Sequence, residues 1–342
     1  MSWRMETPPL APVARSRSWT AGHVLLPLGA AVCLLPVVST GLALLAGLGV
    51  AMTVGNPFVA TTRKLTPRLL SLAVVGLGAG MDLGAVLSAG REGLGYTVVG
   101  IALCLTLGVG LARLLGVPRV TGLLISVGTA ICGGSAIAAV VPVLRPQEHE
   151  TSVALGTVFL LNAVALFVFP VVGHAMGLTP HQFGLWCAMA IHDTSSVVGA
   201  ALRYGPEALA VATPVKLARA LWILPLTVGL AAWKRREGDA VKGKVRRPWF
   251  IAGFLGAAAV VTVFPVLKPV GQGVAAVARQ VLVVTLFLLG AGLTRDTLRA
   301  VGLRPLAQAV ALWLLMAGLC LGRCTWAGSA EPVRPGPVGA GG

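Results

Sequence analysis

Charge is scarce in this 342-residue chain. Asp, Glu, Lys and Arg together make up 11% of it, and only 11 residues are acidic, whereas soluble domains carry about 25% charged residues. So little charge cannot cover a water-facing surface, which excludes an ordinary soluble domain. Aromatic residues are also few, at 6% with two tyrosines. The basic residues that give a net charge of +16 are not interleaved with rings and sit in short connectors, which argues against a nucleic-acid partner. The six cysteines (Cys33, Cys104, Cys132, Cys187, Cys320 and Cys324) show neither Cys-x-x-Cys nor metal-ligand spacing, so neither disulfides nor a metal are expected. A P-loop and a His-Glu-x-x-His string are missing as well, so the chain offers no motif for nucleotide-driven pumping or zinc hydrolysis. No cofactor is expected.

What the chain has in quantity is apolar sequence, with 56% hydrophobic residues and a mean hydropathy of +0.87. A helix needs about 20 apolar residues to cross a bilayer. On that measure eleven segments qualify, at approximately 22–38, 41–60, 68–88, 95–115, 120–144, 152–174, 183–203, 210–233, 249–267, 274–293 and 305–323. The expected fold is an all-α polytopic membrane protein of about 11 transmembrane helices. Residues 1–20 read as a cytoplasmic tail, 21–325 as the transmembrane domain and 326–342 as a disordered Gly/Pro-rich tail. The run from Gly22 to Val38 could pass for a signal-peptide core. No small-residue cleavage site follows it and another apolar run begins almost at once, so it reads as a retained first span. Of the 27 basic residues, 18 fall in segments on the side of the N-terminus and 6 on the other. That bias predicts a cytoplasmic N-terminus and an external C-terminus. The run between Lys234 and Arg247 is its strongest anchor.

Polar residues inside such segments are costly and mark functional paths. The seventh segment holds five in a row: His192, Asp193, Thr194, Ser195 and Ser196. On an unbroken helix His192 and Ser196 share a face while Asp193 and Thr194 point elsewhere, so the five surround one place only if the helix breaks or neighbours close in. In the fifth segment Cys132, Gly133, Gly134 and Ser135 stand mid-membrane, followed by Pro142. Gly-Gly lets the backbone unwind and frees amides for a polar substrate, and a half-helix beginning at Ser135 would aim its positive end at an anion. Close helix packing through small residues is the competing reading. Lys216 and Arg219 in the eighth segment are three apart and share a face. They need counter-charges, and Asp193 is the nearest in sequence; snorkelling to water is the alternative.

Leu77-Gly-Ala-Gly-Met81 in the third segment is echoed by Leu289-Gly-Ala-Gly-Leu293 in the tenth. The two segments would run in opposite directions, as in an inverted repeat. Gly76-Leu-Gly-Ala-Gly80 lacks the full dinucleotide pattern. Gly80 and Gly84 read instead as a Gly-x-x-x-Gly packing pair, and Asp82 as a charge reaching the headgroups. An intramembrane enzyme built on His192, Asp193 and Ser196 is the alternative function. One short segment cannot readily converge those three side chains as a nucleophilic triad requires.

The strings Thr129-Ala-Ile-Cys-Gly-Gly-Ser-Ala-Ile-Ala-Ala139, Phe183-Gly-Leu-Trp186, Ile191-His-Asp-Thr-Ser-Ser-Val-Val198, Val215-Lys-Leu-Ala-Arg-Ala-Leu-Trp-Ile223 and Arg247-Pro-Trp-Phe250 resemble the YeiH-type family, which carries a provisional sulfate-exporter label. The resemblance covers about residues 22 to 323, with Gly199 standing where alanine is expected. It implies a multi-pass protein of the bacterial inner membrane, distantly akin to bile-acid and cation/proton transporters with inverted repeats and discontinuous helices. It also implies a polar centre at Cys132, Gly133, Gly134, Ser135, His192, Asp193, Thr194, Ser195, Ser196, Lys216 and Arg219. The expectation is therefore a secondary active transporter exporting a small sulfur oxyanion such as sulfate, sulfite or a sulfonate. Cys132, Gly133, Gly134, Ser135, Thr194, Ser195, Ser196, Lys216 and Arg219 would bind substrate, and His192 and Asp193 would carry a coupling proton. The partners expected are the small anionic solute, the lipid bilayer and a coupling ion, proton or sodium; a homo-oligomer is compatible with this fold.

Overall fold

The computed structural model describes residues 21–236 and 249–330. The N-terminal tail, the basic run after Arg236 and residues 331–342 of the C-terminal tail lie outside the described residues. Among those described, regular structure is entirely helical. The first elements are α1 (Gly22–Val32), α2 (Thr40–Thr53), α3 (Val59–Gly78), α4 (Leu83–Leu114), α5 (Arg119–Ala130), α6 (Gly134–Leu144) and α7 (Glu148–Ala175). They are followed by α8 (Pro180–Ala190), α9 (Thr194–Tyr204), α10 (Pro206–Ala220), α11 (Ile223–Arg236) and α12 (Trp249–Val263). A short 3-10 turn then leads into α13 (Lys268–Gly292), α14 (Arg295–Ala300) and α15 (Leu303–Ala330). The last helix continues four residues past Trp326.

Helix starts follow local chemistry. Gln147 and Glu150 form a capping box that opens α7, and Thr179 with Gln182, helped by Pro180 in the first turn, does the same for α8. Asp82 opens α4 by accepting the amide of Ala85 at 3.1 Å. That cap moves a boundary expected from the sequence. The chain does not turn between residues 88 and 95, where neither a cap nor a proline stops a helix. It turns after Gly78, bending by 114° into α4, which then runs unbroken for 32 residues. Asp82 is thus a cap, joined by the hydroxyl of Thr262 at 3.4 Å. Gly80 and Gly84 fall on either side of the bend and form no common packing face; Gly80 alone lies against Ala275.

Among the described residues five helical stretches are long and apolar enough to cross a membrane, Thr97–Leu114 of α4, α7, α10 with α11, α13 with the turn before it, and Leu303–Gly322 of α15, or six if α3 and the first part of α4 make one bent span. The remaining apolar segments are shorter, and several of the expected crossings are interrupted, among them the fifth, divided between α5 and α6, and the seventh, divided between α8 and α9. The echoed motifs occupy equivalent local positions. Each ends a helix, α3 or α13, and each is followed by a capping side chain, Asp82 or Thr294, the latter accepting the amide of Thr297 at 3.3 Å.

The helices form two groups. In one, α2, α3, α12 and α13 approach backbone to backbone through glycine. A Cβ on Gly290 would run into the carbonyl of Leu44, one on Gly47 into that of Phe287, and one on Gly78 into that of Phe254. The other group gathers α4 to α11, α14 and α15 around α8, α9 and α10, most of whose residues are buried. Helix α9 joins the two groups. The hydroxyl of Thr40 donates to the carbonyl of Gly199 at 3.3 Å, and the missing side chain of Gly199 leaves room for Leu166 and Leu286.

Candidate functional site

The two interruptions meet. Ile131, Cys132 and Gly133 separate α5 from α6, and Ile191, His192 and Asp193 separate α8 from α9. A Cβ built on Gly133 would stand 3.4 Å from Cβ of Asp193, so the breaks lie against each other inside the second helix group. Gly133 has φ +63° and ψ −128°, a left-handed conformation that glycine alone adopts at low cost. The next residue is glycine for a steric reason, because a Cβ on Gly134 would press on the ring of Phe159 at 2.8 Å.

Each break exposes a helix C-terminus whose last carbonyls lack amide partners. The structure satisfies them with the two cations of α10. Lys216 Nζ donates to the carbonyl of Ile131 at 3.0 Å and to that of Ile191 at 2.6 Å, one from each break. Arg219 Nε donates to the carbonyl of Ala130 at 2.8 Å, its Nη2 to Thr129 at 3.4 Å and its Nη1 to Met189. Both side chains are fully buried, at 0% and 2% exposure, so neither snorkels. The geometry suits cations, since each C-terminus carries roughly half a negative charge. The hydrogen bonds of Lys216 and Arg219 thus go to backbone carbonyls, and Asp193 is bonded elsewhere. Its Oδ2 accepts the amides of Ser195 at 3.0 Å and Ser196 at 3.4 Å, together with the hydroxyl of Ser195. The carboxylate caps the N-terminus of α9, where the partial charge is positive.

The site residues expected from the sequence are therefore gathered, with different local roles. His192, Asp193, Thr194, Ser195, Ser196, Cys132, Gly133 and Gly134 are all buried around the breaks, and Ser135 stands exposed on the first turn of α6. His192 and Ser196 belong to no relay among the described residues. Both ring nitrogens of His192 and Oγ of Ser196 are buried without a hydrogen-bond partner. Cys33, Cys104, Cys132, Cys187 and Cys320 are buried.

One residue escapes the sequence reading. Asn162, halfway along α7 and 1% exposed, accepts the amide of Asp193 on Oδ1 at 3.2 Å. Its Nδ2 has no partner and lies 3.5 Å from the Cβ position of Gly133. The available signal was a lone carboxamide in a 28-residue apolar helix. Buried polar atoms are ordinarily paired, yet five of the six unpaired ones found among the described residues (Oγ1 of Thr129, Nδ2 of Asn162, both nitrogens of His192 and Oγ of Ser196) are in or beside the breaks. The sixth belongs to Gln308, whose Nε2 ties α15 to the carbonyls of Gly108 and Gly122.

A ladder of rings holds the second broken helix in place. Tyr204 at the end of α9 stacks between His174 of α7 and Phe183 of α8, with centroids 4.2 and 3.8 Å away, and Trp186 stacks on Phe169 at 4.3 Å. The hydroxyl of Tyr204 donates to the carbonyl of Leu178 at 2.6 Å. The outer ends of α8 and α9 are thereby fixed to α7, the helix that carries Asn162.

A family model described as "Conserved hypothetical protein 698" matches residues 30–309, a range that contains every residue of the crossing. A UPF0324 membrane protein of Bdellovibrio bacteriovorus is 54% identical over 316 residues, covering 91% of this chain and 97% of its own length. Another from Geobacter sulfurreducens is 49% identical over 291 residues, with 85% and 92% covered. A third, from Bacteroides thetaiotaomicron, is 47% identical over 281 residues, with 82% and 84% covered. No solved structure matches the chain.

Proposed function

The chain belongs to the family described as Conserved hypothetical protein 698, a family of multi-pass membrane proteins, and from that premise we propose that it is a secondary active transporter of a small sulfur oxyanion. The observation that carries the reading is the concentration of unpaired buried polar atoms where two broken helices cross. Broken helices meeting inside a membrane protein offer backbone dipoles and amides to a solute that a continuous helix would not. An uncapped helix N-terminus at α6, nearby hydroxyls and the positive potential of two buried cations favour an acceptor-rich anion such as sulfate, sulfite or a sulfonate.

Ion-gradient coupling fits the same place. His192 and Asp193 are the titratable residues of the second break, so a proton is the coupling ion favoured over sodium. The bias of basic residues favours insertion in the bacterial inner membrane with the N-terminus cytoplasmic. The hydrogen-bonding of Asp193 to α9, away from His192, favours transport over nucleophilic chemistry at Ser196.

The test is flux of radiolabelled sulfate, sulfite and taurine in proteoliposomes, with and without an imposed pH gradient. We expect saturable flux of one of these anions, driven by the gradient. In H192Q and D193N that dependence should weaken or vanish while the protein remains folded. The absence of flux for all three anions from folded wild-type protein would remove the sulfur-oxyanion reading.

A further inference from the structure

The two half-helix N-termini at the crossing are not equivalent. That of α9 is closed by its own chain, because the carboxylate of Asp193 accepts the amides of Ser195 and Ser196. That of α6, an 11-residue helix, is capped by no side chain, since the residue in the cap position is Gly133. The amides of Gly134 and Ser135 meet no acceptor among the described residues. Beside this helix start, on α7, is the buried, unpartnered Nδ2 of Asn162, 3.5 Å from the Cβ position of Gly133.

This combination is donor-only. Two backbone amides at a positive helix end and a carboxamide NH2 complement a group that offers acceptors and negative charge, which describes the oxygens of a sulfate, sulfite or sulfonate. Asp193, by contrast, already places a negative group at the other N-terminus. We infer that the N-terminus of α6, with Asn162 as its side-chain donor, is the subsite that binds the oxyanion of the transporter proposed above, on which this assignment rests. Ser135 gives the approach: it and Ala138 are exposed on one face of α6, while Ala136 and Ile137 between them are buried. Asn162 also connects substrate to the coupling residues. The carboxamide that donates to the anion holds the backbone of Asp193 through its other atom, so an anion that draws Nδ2 acts directly on the segment carrying Asp193 and His192.

The substitution Asn162→Asp isolates the donor. It keeps shape and an acceptor for the amide of Asp193, but puts a negative oxygen where Nδ2 stood. In the full-length protein we expect equilibrium binding of whichever of sulfate, sulfite or taurine the wild type transports to weaken by about tenfold or more, the scale of one hydrogen bond to a charged group. A second measurement leaves Asn162 untouched. In S135C the new thiol should react with a methanethiosulfonate reagent, and the transported anion should slow that reaction. Unchanged affinity in N162D, or S135C labelling indifferent to the anion, with wild-type flux intact, overturns the subsite and leaves the transporter reading standing. No flux and no binding of any of the three anions by folded wild type overturns both. If N162D does not fold, the labelling of S135C decides alone.

Discussion

At the scale of single residues, Lys216 and Arg219 answer a problem that the breaks create. Interrupting a helix in an apolar interior leaves carbonyls without partners, and a buried unsatisfied polar group costs about 1–3 kcal/mol. Five such carbonyls, from Thr129, Ala130, Ile131, Met189 and Ile191, receive all the side-chain hydrogen bonds of these two cations. The cations are thus positioning groups as well as a source of positive potential, and their loss should be felt in stability before transport is assayed. We expect K216M to lower the unfolding free energy by about 2–3 kcal/mol, through the loss of hydrogen bonds from a charged donor. The measurement is thermal unfolding in detergent. K216R should recover part of the loss, because a guanidinium can still reach both breaks. An unchanged melting temperature in K216M would mean that the carbonyls of Ile131 and Ile191 do not depend on it.

At the scale of elements, glycine decides which helices stay together. Gly290 faces the backbone of Leu44 and Leu48, whereas Gly292, two residues on, has nothing within 4 Å of its Cβ position. G290V should therefore force α13 off α2 at a cost of about 1–3 kcal/mol, as overpacking does, while G292A should be nearly silent. Comparing their unfolding temperatures checks the pair, and equal effects would contradict the backbone-to-backbone packing of the first helix group. Much of this layer was legible in the sequence. Gly133-Gly134 marks a real break, and the polar run from His192 to Ser196 proved to straddle another, because glycine and side-chain caps act locally. The bend at Gly78 was missed because its cause, the N-cap of Asp82, competes with an uninterrupted apolar pattern through residue 88. Asn162 was missed for a different reason. Its role depends on facing Gly133 and Asp193 from another helix, and nothing in the local sequence reports that.

At the scale of the whole molecule, the question is whether the broken helices cross the membrane or turn back within it. Length alone cannot decide, since α5 and α6 have only 12 and 11 residues, about half a span each. Charge gives an expectation. Arg113 and Arg119 flank the turn between α4 and α5, and Arg145 follows α6; under the bias of 18 basic residues to 6 the first two are expected on the cytoplasmic side and the third outside. If α5 and α6 together form one crossing, Pro118 and His149, both exposed, lie on opposite faces. In P118C and H149C, a membrane-impermeant maleimide applied to the external face should label the second variant and spare the first until the membrane is permeabilised. With Cys324 replaced by serine in both variants, the remaining cysteines at 33, 104, 132, 187 and 320 are buried and should contribute little background. Labelling of both, or of neither, would make α5–α6 a re-entrant hairpin with its tip at Gly133. The crossing would then be reached from one face only, and alternating access would have to be carried by α8 and α9 alone. Labelling of H149C only would instead place the N-terminus of α6 at the middle of a full span, where a solute can be offered to either side in turn.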